Sequence, residues 1–428
     1  MAKKQKVKKT PKQKFMVFLK VLMWIVIAIA AIAAIVAIVN TVSIKSNRAF
    51  IENSITEVKY EKQLEPTLDD KGRYTFVTDE DFKVLQITDV HIGGGMLSSD
   101  NDNMALNAVA AMITAEKPDL VIVTGDVAYP VPYQAGTFNN KRSAKLFADL
   151  MEKLGVYWCL GFGNHDTEIY SYFSRDSIAA MYQDKDSYPH CLLQSGPEDV
   201  DGVGNYVINV KNTAGGIVQS LFVFDSHSYV DGDYFGIKWK YDCVHKNQIE
   251  WYKNTVKELT EENGGVQPKS LAFFHIPPQE MRDAFKEYTD AGNKDTDDVK
   301  YVYGVIAEGG QIICAGNYNY GLIDAFRENG TQGAFFGHDH LNNMSLDYKG
   351  VRLTYGYSID YLAYGSAITK FGRQRGCTPI TIHPDGTFEN VQENYYQDKY
   401  VSVNEKESVD LEHDMADETG GVNNPFAE

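Results

Sequence analysis

The sequence predicts an α/β domain with an at least partly parallel sheet, preceded by one transmembrane helix. Short β-branched runs alternate with polar loops and amphipathic stretches between residues 81 and 395, and this alternation is typical of βαβ units. Every residue from 21 to 39 is apolar, and a run of this length is typical of a membrane span. The composition, 43% hydrophobic and 23% charged over 428 residues, is that of an ordinary folded protein.

The apolar run predicts a signal-anchor helix over residues 21–42. At a rise of about 1.5 Å per residue it nearly matches a hydrocarbon core about 30 Å thick, and it exceeds the roughly 7–15 apolar residues of a cleaved signal peptide. Eight lysines and no acidic residue lie in residues 1–20, which the positive-inside rule places in the cytoplasm. We therefore expect a single-pass protein of the cell membrane with its main domain outside the cytoplasm. Cleavage of the helix, followed by secretion, is the alternative.

The rest of the chain divides into a tether, a main domain and a tail. We predict a tether and first strand over 43–80, the main domain over 81–395, and a disordered acidic tail over 396–428, where large apolar residues are few. Strands are predicted at 74–77, 83–88, 120–124, 156–161, 220–224, 271–274, 333–336 and 351–355. Helices are predicted at 104–116, 143–154, 246–260 and 322–328, and a hairpin at 379–391 around the turn signal Pro384-Asp385-Gly386.

The charge of the chain argues against a nucleic-acid partner. Beyond residue 20 there are 33 basic residues against 58 acidic ones, and a body this acidic repels polyanions. The five cysteines lack the close pairs that structural zinc sites use, so we assign them no function. No protein partner can be inferred from the sequence.

Five of the predicted strands end in residues that commonly bind metal ions. The motifs, in chain order, are Asp89-x-His91, Gly-Asp126, Gly-Asn164-His165-Asp166, His275 and Gly-His338-x-His340. The carboxyl ends of strands form the ligand crevice of open α/β sheets, so these residues can converge. Side chains at i and i+2 of an extended segment point the same way, which explains the D-x-H and H-x-H spacing. Carboxylates and imidazoles without thiolates fit Fe, Mn or Zn.

Each motif has a simpler interpretation when it is considered alone. A single G-D or D-x-H is more often a turn or a helix cap, and a lone His275 is more often a buried, hydrogen-bonded histidine. The ordered set, with each member just beyond an apolar strand, favours one site that holds two metal ions.

This ordered set resembles the calcineurin-like metallophosphoesterase superfamily over about residues 81–395. The segments around His275-Ile-Pro-Pro and Gly-His338-Asp339-His340 are most similar to the single-domain branch related to purple acid phosphatases. The resemblance implies a two-sheet β-sandwich flanked by helices, with two divalent or mixed-valence transition metal ions, Fe, Mn or Zn, at one sheet edge. It assigns one metal to Asp89, His91, Asp126 and His340, and the other to Asp126, Asn164, His275 and His338. Asp126 would bridge the two ions, His165 would face the substrate, and Asp166 would orient His165.

One position departs from the purple acid phosphatase pattern. Those enzymes read G-D-x-x-Y, with the tyrosine on ferric iron, and Tyr129 keeps that spacing. Their first motif has glycine where this chain has His91, and an imidazole there would occupy the place of a tyrosinate. We therefore expect Tyr129 to pack against the site. His227, after a predicted strand, and Tyr361, in a tyrosine-rich segment, are the expected substrate contacts.

These features together predict a membrane-anchored, extracytoplasmic phosphoesterase. The resemblance implies hydrolysis of phosphomonoesters by in-line attack of a hydroxide that bridges the metals, with His165 as general acid. The substrate would be a phosphorylated small molecule or a lipid head group. Phosphodiester hydrolysis, of a nucleotide or a lipid head group, is one alternative, and a non-catalytic binding protein on the same scaffold is another.

Overall fold

Two β-sheets form the centre of the main domain in the computed structural model, which describes residues 9–365, 368 and 375–409. The first sheet has nine strands in the order β1-β2-β6-β7-β8-β10-β12-β11-β9. The second has six strands, in the order β14-β13-β3-β4-β5 with β15 beside β13. The strands of the first sheet are β1 Thr67–Leu68, β2 Tyr74–Val77, β6 Tyr206–Lys211, β7 Ile217–Val223, β8 Lys269–Phe273, β9 Val299–Tyr303, β10 Thr331–Phe336, β11 Ser345–Tyr348 and β12 Val351–Tyr355. Those of the second are β3 Phe82–Ile87, β4 Leu120–Thr124, β5 Trp158–Gly161, β13 Gly376–Ile382, β14 Phe388–Asn390 and β15 Glu393–Asn394.

Helices cover the outer faces of both sheets. They are α1 Pro11–Ser54, α2 Ser99–Glu116, α3 Pro132–Ala135, α4 Asn140–Leu154, α5 Arg175–Tyr182, α6 Lys246–Glu262, α7 Gln279–Asp290 and α8 Leu322–Glu328. Successive side chains of β8 point to opposite faces of the first sheet. Leu271 and Phe273 pack into the core between this sheet and the second one. Ala272 and Phe274 pack on the other face, with residues of α6, α7 and α8. The expected two-sheet α/β architecture flanked by helices is confirmed.

Parallel pairing brings several strand ends to one edge of the domain. In the first sheet β7, β8, β10 and β12 are parallel neighbours, and in the second β3, β4 and β5 are parallel. A bridge between Thr88 and Ser358 joins the segments that follow β3 and β12. The polar motifs predicted at strand ends therefore share this edge.

The anchor and the expected tether are parts of one helix. The 44 residues of α1 continue past residue 42 to Ser54, so the predicted tether is helical at its start. Ser43 and Asn47 are buried against the domain, where they donate hydrogen bonds to the carbonyl oxygens of Gly95 (3.0 Å) and Ser99 (2.8 Å). Among the described residues α1 alone has the length and apolar composition of a membrane span, and an N-terminal signal sequence shares these properties.

The predicted disordered tail packs on the domain as far as residue 409. Tyr396 and Tyr400 are buried, and Glu407 pairs with Arg375 (2.8 Å). The prediction of disorder was wrong for 396–409 because it weighed the acidic composition and overlooked these tyrosines, which bury large rings. The remaining tail, 410–428, lies outside the described residues.

Candidate metal centre

The motif residues converge where the parallel strands end. Asp89 and His91 follow β3, Asp126 follows β4 and Asn164 follows β5, while His275 follows β8 and His338 and His340 follow β10. His338 is partly buried and the other six are buried. Residues 249 positions apart are joined here, since the amide of His338 donates to Asp89 Oδ2 (3.1 Å).

One group of potential ligands consists of Asp89, His91 and His340. His340 Nε2 lies 3.4 Å from Asp89 Oδ1, and His91 Nε2 lies 3.9 Å from the same oxygen. Asp360 supports the group from behind, since its Oδ2 is 3.1 Å from His340 Nδ1. Its Oδ1 is 3.7 Å from His91 Nδ1. A carboxylate behind a ligating histidine fixes the ring orientation and makes it a better ligand.

A second group consists of Asp126, His275 and His338. His275 Nε2 lies 3.2 Å from Asp126 Oδ2 and 3.3 Å from His338 Nδ1. Asn164 joins this group through Oδ1, which lies 3.1 Å from His275 Nε2.

Asp126 stands between the two groups. Its Oδ2 lies 3.3 Å from His91 Nε2, in the first group, and 3.2 Å from His275 Nε2, in the second. Its other oxygen accepts a hydrogen bond from the amide of His165 (2.8 Å). This is the position that a bridging carboxylate requires.

The donor set fits metal ions. His275 Nδ1 is 2.8 Å from the carbonyl oxygen of Thr124, which can only accept, so Nδ1 carries a proton and Nε2 faces the cluster. Burial lowers the pKa of His275, but the negative charges of Asp126 and Asp89 raise it more, to about 9. Burial raises the pKa of Asp126, but the charges of His275 and His165 hold it well below its ordinary value. The cluster thus attracts positive charge. A metal ion would displace a proton from His275 Nε2 and leave the Nδ1 proton on the Thr124 carbonyl oxygen.

The backbone at the centre is strained. Asp89, His91, Asp126 and His338 have positive φ angles of 50°, 53°, 54° and 81°. Residues other than glycine pay about 1–3 kcal/mol each for such conformations, which cluster at functional sites. The strain indicates that the surrounding structure holds these ligands in fixed positions.

Two glycines permit the close approach of the motif segments. A Cβ atom at Gly163 would lie 2.1 Å from Asp126 Oδ1, and one at Gly337 would lie 1.9 Å from Thr88 Oγ1 and 2.4 Å from Asp89 Oδ2. Neither contact is possible, so a side chain at either position must displace a ligand segment.

Gly337→Ala is therefore expected to lower the metal content of the purified protein and to destabilise it by about 1–3 kcal/mol. Gly309→Ala is the matched control, because no atom lies within 4 Å of a Cβ there. Metal analysis and thermal unfolding of both variants check this. Unchanged metal content in Gly337→Ala would contradict the packing described at Thr88 and Asp89.

His165 lies beside the two groups, and Glu168 orients it. His165 Nδ1 is 2.7 Å from Glu168 Oε1. Asp166, predicted for this role, instead accepts hydrogen bonds from the amides of Asp126 (3.0 Å), Ala128 (2.8 Å) and Gly163 (2.8 Å). The prediction was wrong because Asp166 turns toward the loop after β4. The sequence signal for Glu168 is an acid three residues after the histidine.

Tyr129 packs against the first group, as expected. Its ring stacks on His91 with centroids 4.6 Å apart and an angle of 14° between the planes. Its hydroxyl donates to Gln134 Oε1 (3.1 Å). Burial raises the pKa of the Tyr129 phenol above its ordinary value.

The two expected substrate contacts, Tyr361 and His227, have protein partners in the structure. Tyr361 is buried beneath Arg375, 3.6 Å from the guanidinium carbon to the ring centroid, and its hydroxyl donates to Glu407. His227 stacks on His245, and its Nε2 lies 3.0 Å from Gln248 Oε1. A role in substrate binding stays a prediction for both residues.

Other tyrosines line the centre. Tyr364 lies against His340, with centroids 4.4 Å apart, and Tyr241 lies against His338, at 4.2 Å. The Tyr229 hydroxyl is 3.0 Å from Asn164 Nδ2. Only Tyr364 stands in the tyrosine-rich segment that the sequence singled out.

The chain is similar to several known proteins. Residues 82–342 match the family model described as calcineurin-like phosphoesterase. A relative named "Probable inactive purple acid phosphatase 14", from Arabidopsis thaliana, is 30% identical over 319 residues, which cover 68% of this chain and 73% of the relative. "Probable inactive purple acid phosphatase 29" from the same plant is 29% identical over 331 residues, covering 71% and 78%. A solved dimetal phosphatase from Danio rerio aligns with a TM-score of 0.44 and 12% identity, over 71% of this chain and 94% of that one.

Proposed function

The chain belongs to the calcineurin-like phosphoesterase family, and from this premise we propose that it is a membrane-anchored phosphomonoesterase with a dinuclear metal centre. One observation carries the proposal. Two buried groups of potential ligands are present, and Asp126 Oδ2 lies within 3.3 Å of a histidine nitrogen of each.

Seven residues would hold the two metal ions. Asp89, His91, Asp126 and His340 form one set, and Asp126, Asn164, His275 and His338 form the other. Bound metal ions of this kind supply positive charge to a phosphoryl group and activate water at neutral pH. Fe, Mn and Zn all suit the donor set.

His165 is proposed to deliver a proton to the leaving oxygen. Glu168 occupies its Nδ1, which leaves Nε2 as the nitrogen available to a substrate. Burial lowers the pKa of His165, but the charge of Asp126 and the hydrogen bond to Glu168 raise it above its ordinary value. The raised pKa favours a proton at Nε2, where general acid catalysis needs it.

The relatives offer a second candidate function. They are named probable inactive purple acid phosphatases, and the name applies to those proteins. For this chain, it makes phosphate binding without turnover the second candidate. The proposal of activity is supported by the presence here of every ligand position together with His165.

The anchor completes the proposal. We infer that α1 crosses the cell membrane with residues 1–20 in the cytoplasm and the main domain outside. The lysines before the apolar run support this orientation. The exposed side chains of residues 11–34 support a helix that lies outside the domain.

Hydrolysis of p-nitrophenyl phosphate and its bis ester by the purified full-length protein, with Fe, Mn or Zn supplied in turn, tests the proposal. We expect the monoester to be hydrolysed faster. Faster hydrolysis of the bis ester would identify a phosphodiesterase. Two bound ions without hydrolysis of either compound would identify a binding protein.

A further inference from the structure

The C-terminal part of α1 fixes the height of the domain above the membrane. The apolar run ends at Val39, and Asn40 follows within the same helix. Asn40 Nδ2 donates to the carbonyl oxygen of Gly136 (3.0 Å), and its Oδ1 accepts from the amide of Met96 (2.7 Å). The loops that contain residues 96 and 136 therefore lie where the membrane span ends.

Those loops expose a patch of large apolar side chains, which we call the interfacial rim. Its members Leu97, Tyr133, Phe138 and Tyr172 are 56%, 78%, 39% and 65% exposed. Backbone hydrogen bonds join their segments, from Leu97 to Ala135 (3.2 Å) and from Tyr172 to Phe138 (3.1 Å). Aromatic side chains at the end of a span are typical of the membrane interface, where one end of the ring is apolar and the other is wet.

The interfacial rim also borders the candidate metal centre. Gln134, next to Tyr133 in the short helix α3, accepts the hydrogen bond of the Tyr129 hydroxyl. The Tyr129 ring packs against the rings of His91 and His165, with centroid separations of 4.6 Å and 4.8 Å. Only one layer of side chains thus separates the rim from the proposed general acid.

Basic residues accompany the rim in an otherwise acidic domain. Lys141 and Arg142 begin α4, just after Phe138, and Lys45 is exposed on α1 beyond the end of the apolar run. Lysine and arginine close to a bilayer surface are attracted to lipid phosphates.

From these contacts we propose that the interfacial rim lies in the head-group layer of the membrane that α1 crosses, and that the metal centre acts on phosphate esters carried by lipid head groups. The inference rests on the proposed function and names its substrate class. The hydrogen bonds of Asn40, Ser43 and Asn47 hold the loops of the rim at the end of the span, and so place the metal centre close to the lipid phosphates.

The position of the rim is tested with full-length Tyr133→Trp in vesicles that contain brominated phosphatidylcholine. The matched control is Val266→Trp, because Val266 is 66% exposed and precedes the N-terminal end of β8, at the opposite edge of the sheet. Bromine should quench the added fluorescence of Tyr133→Trp and not that of Val266→Trp. Equal quenching in both variants would overturn the docking.

The substrate class is tested with the double variant Leu97→Ser, Tyr133→Ser in phosphatidylcholine vesicles that contain phosphatidic acid. We expect about a tenfold loss of phosphatidic acid hydrolysis from the lost apolar contact, while soluble p-nitrophenyl phosphate is hydrolysed as by the parent protein. Val266→Ser should change neither rate. Full phosphatidic acid hydrolysis by the double variant would overturn the inference.

If the parent hydrolyses the soluble ester alone, the proposed function stands and the lipid substrate is wrong. If it hydrolyses neither, both fail, and the quenching still decides the docking.

Discussion

Asp126→Asn is expected to lower the bound metal below two ions per chain and to reduce phosphoester hydrolysis more than about 100-fold. Changes to outer partners of metal ligands already cost about 10–100-fold, and Asp126 stands between both groups. Its Oδ2 approaches His91 and His275 at 3.3 and 3.2 Å. The amide that replaces it carries no charge, so neither ion would be compensated there.

Asp119→Asn is the matched control for this experiment. Asp119 precedes the opposite end of the same strand, β4, and accepts from the amide of Lys83 (2.8 Å). Metal analysis and turnover of both variants should differ sharply. Two tightly bound ions in Asp126→Asn would show that Asp126 is not the bridge.

His165→Ala is expected to slow alkyl phosphate hydrolysis by about 10²–10⁴ while both metal ions stay bound, which is the usual contribution of a general acid. The loss should be smaller on p-nitrophenyl phosphate, because a good leaving group needs little protonation. Glu168→Gln should lower the rate in the same substrate-dependent way but less, since the amide still accepts from Nδ1 without its charge.

His190→Ala provides the control for this pair. His190 forms a similar contact, with Nδ1 2.6 Å from Glu152 Oε2, away from the metal centre, so its loss should leave both rates unchanged. Equal losses on both substrates in His165→Ala would indicate a role in positioning phosphate. Lost metal would make His165 a ligand.

The sequence was sufficient to predict which strands carry the site. Motifs after β3, β4, β5, β8 and β10 could be located because each follows an apolar run, and parallel pairing then brings their ends together. The sequence prediction missed β6, although it is almost fully buried, and α7, although it buries Met281, Ala284 and Phe285 at helical spacing. It also missed β9, in which only the first and last residues are buried.

Side-chain direction was the part that the sequence could not supply. Asp166 and Glu168 are both acids beside His165, and only the turn after β5 decides which one reaches its ring. Tyr361 and Tyr364 are three residues apart, yet one lies under Arg375 and the other against His340. The junction of α1 with the domain was also missed, because helix continuity past residue 42 depends on contacts with distant loops.

Stepwise addition of Mn²⁺ or Zn²⁺ to chelator-treated full-length protein, with bound metal and phosphomonoester hydrolysis measured on the same samples, decides whether the centre is dinuclear and catalytic. Hydrolysis should be small at one bound ion per chain and should reach its plateau at two, because Asp126 joins two groups of ligands. Full activity at one ion, or two bound ions with no hydrolysis, would contradict a dinuclear phosphoesterase.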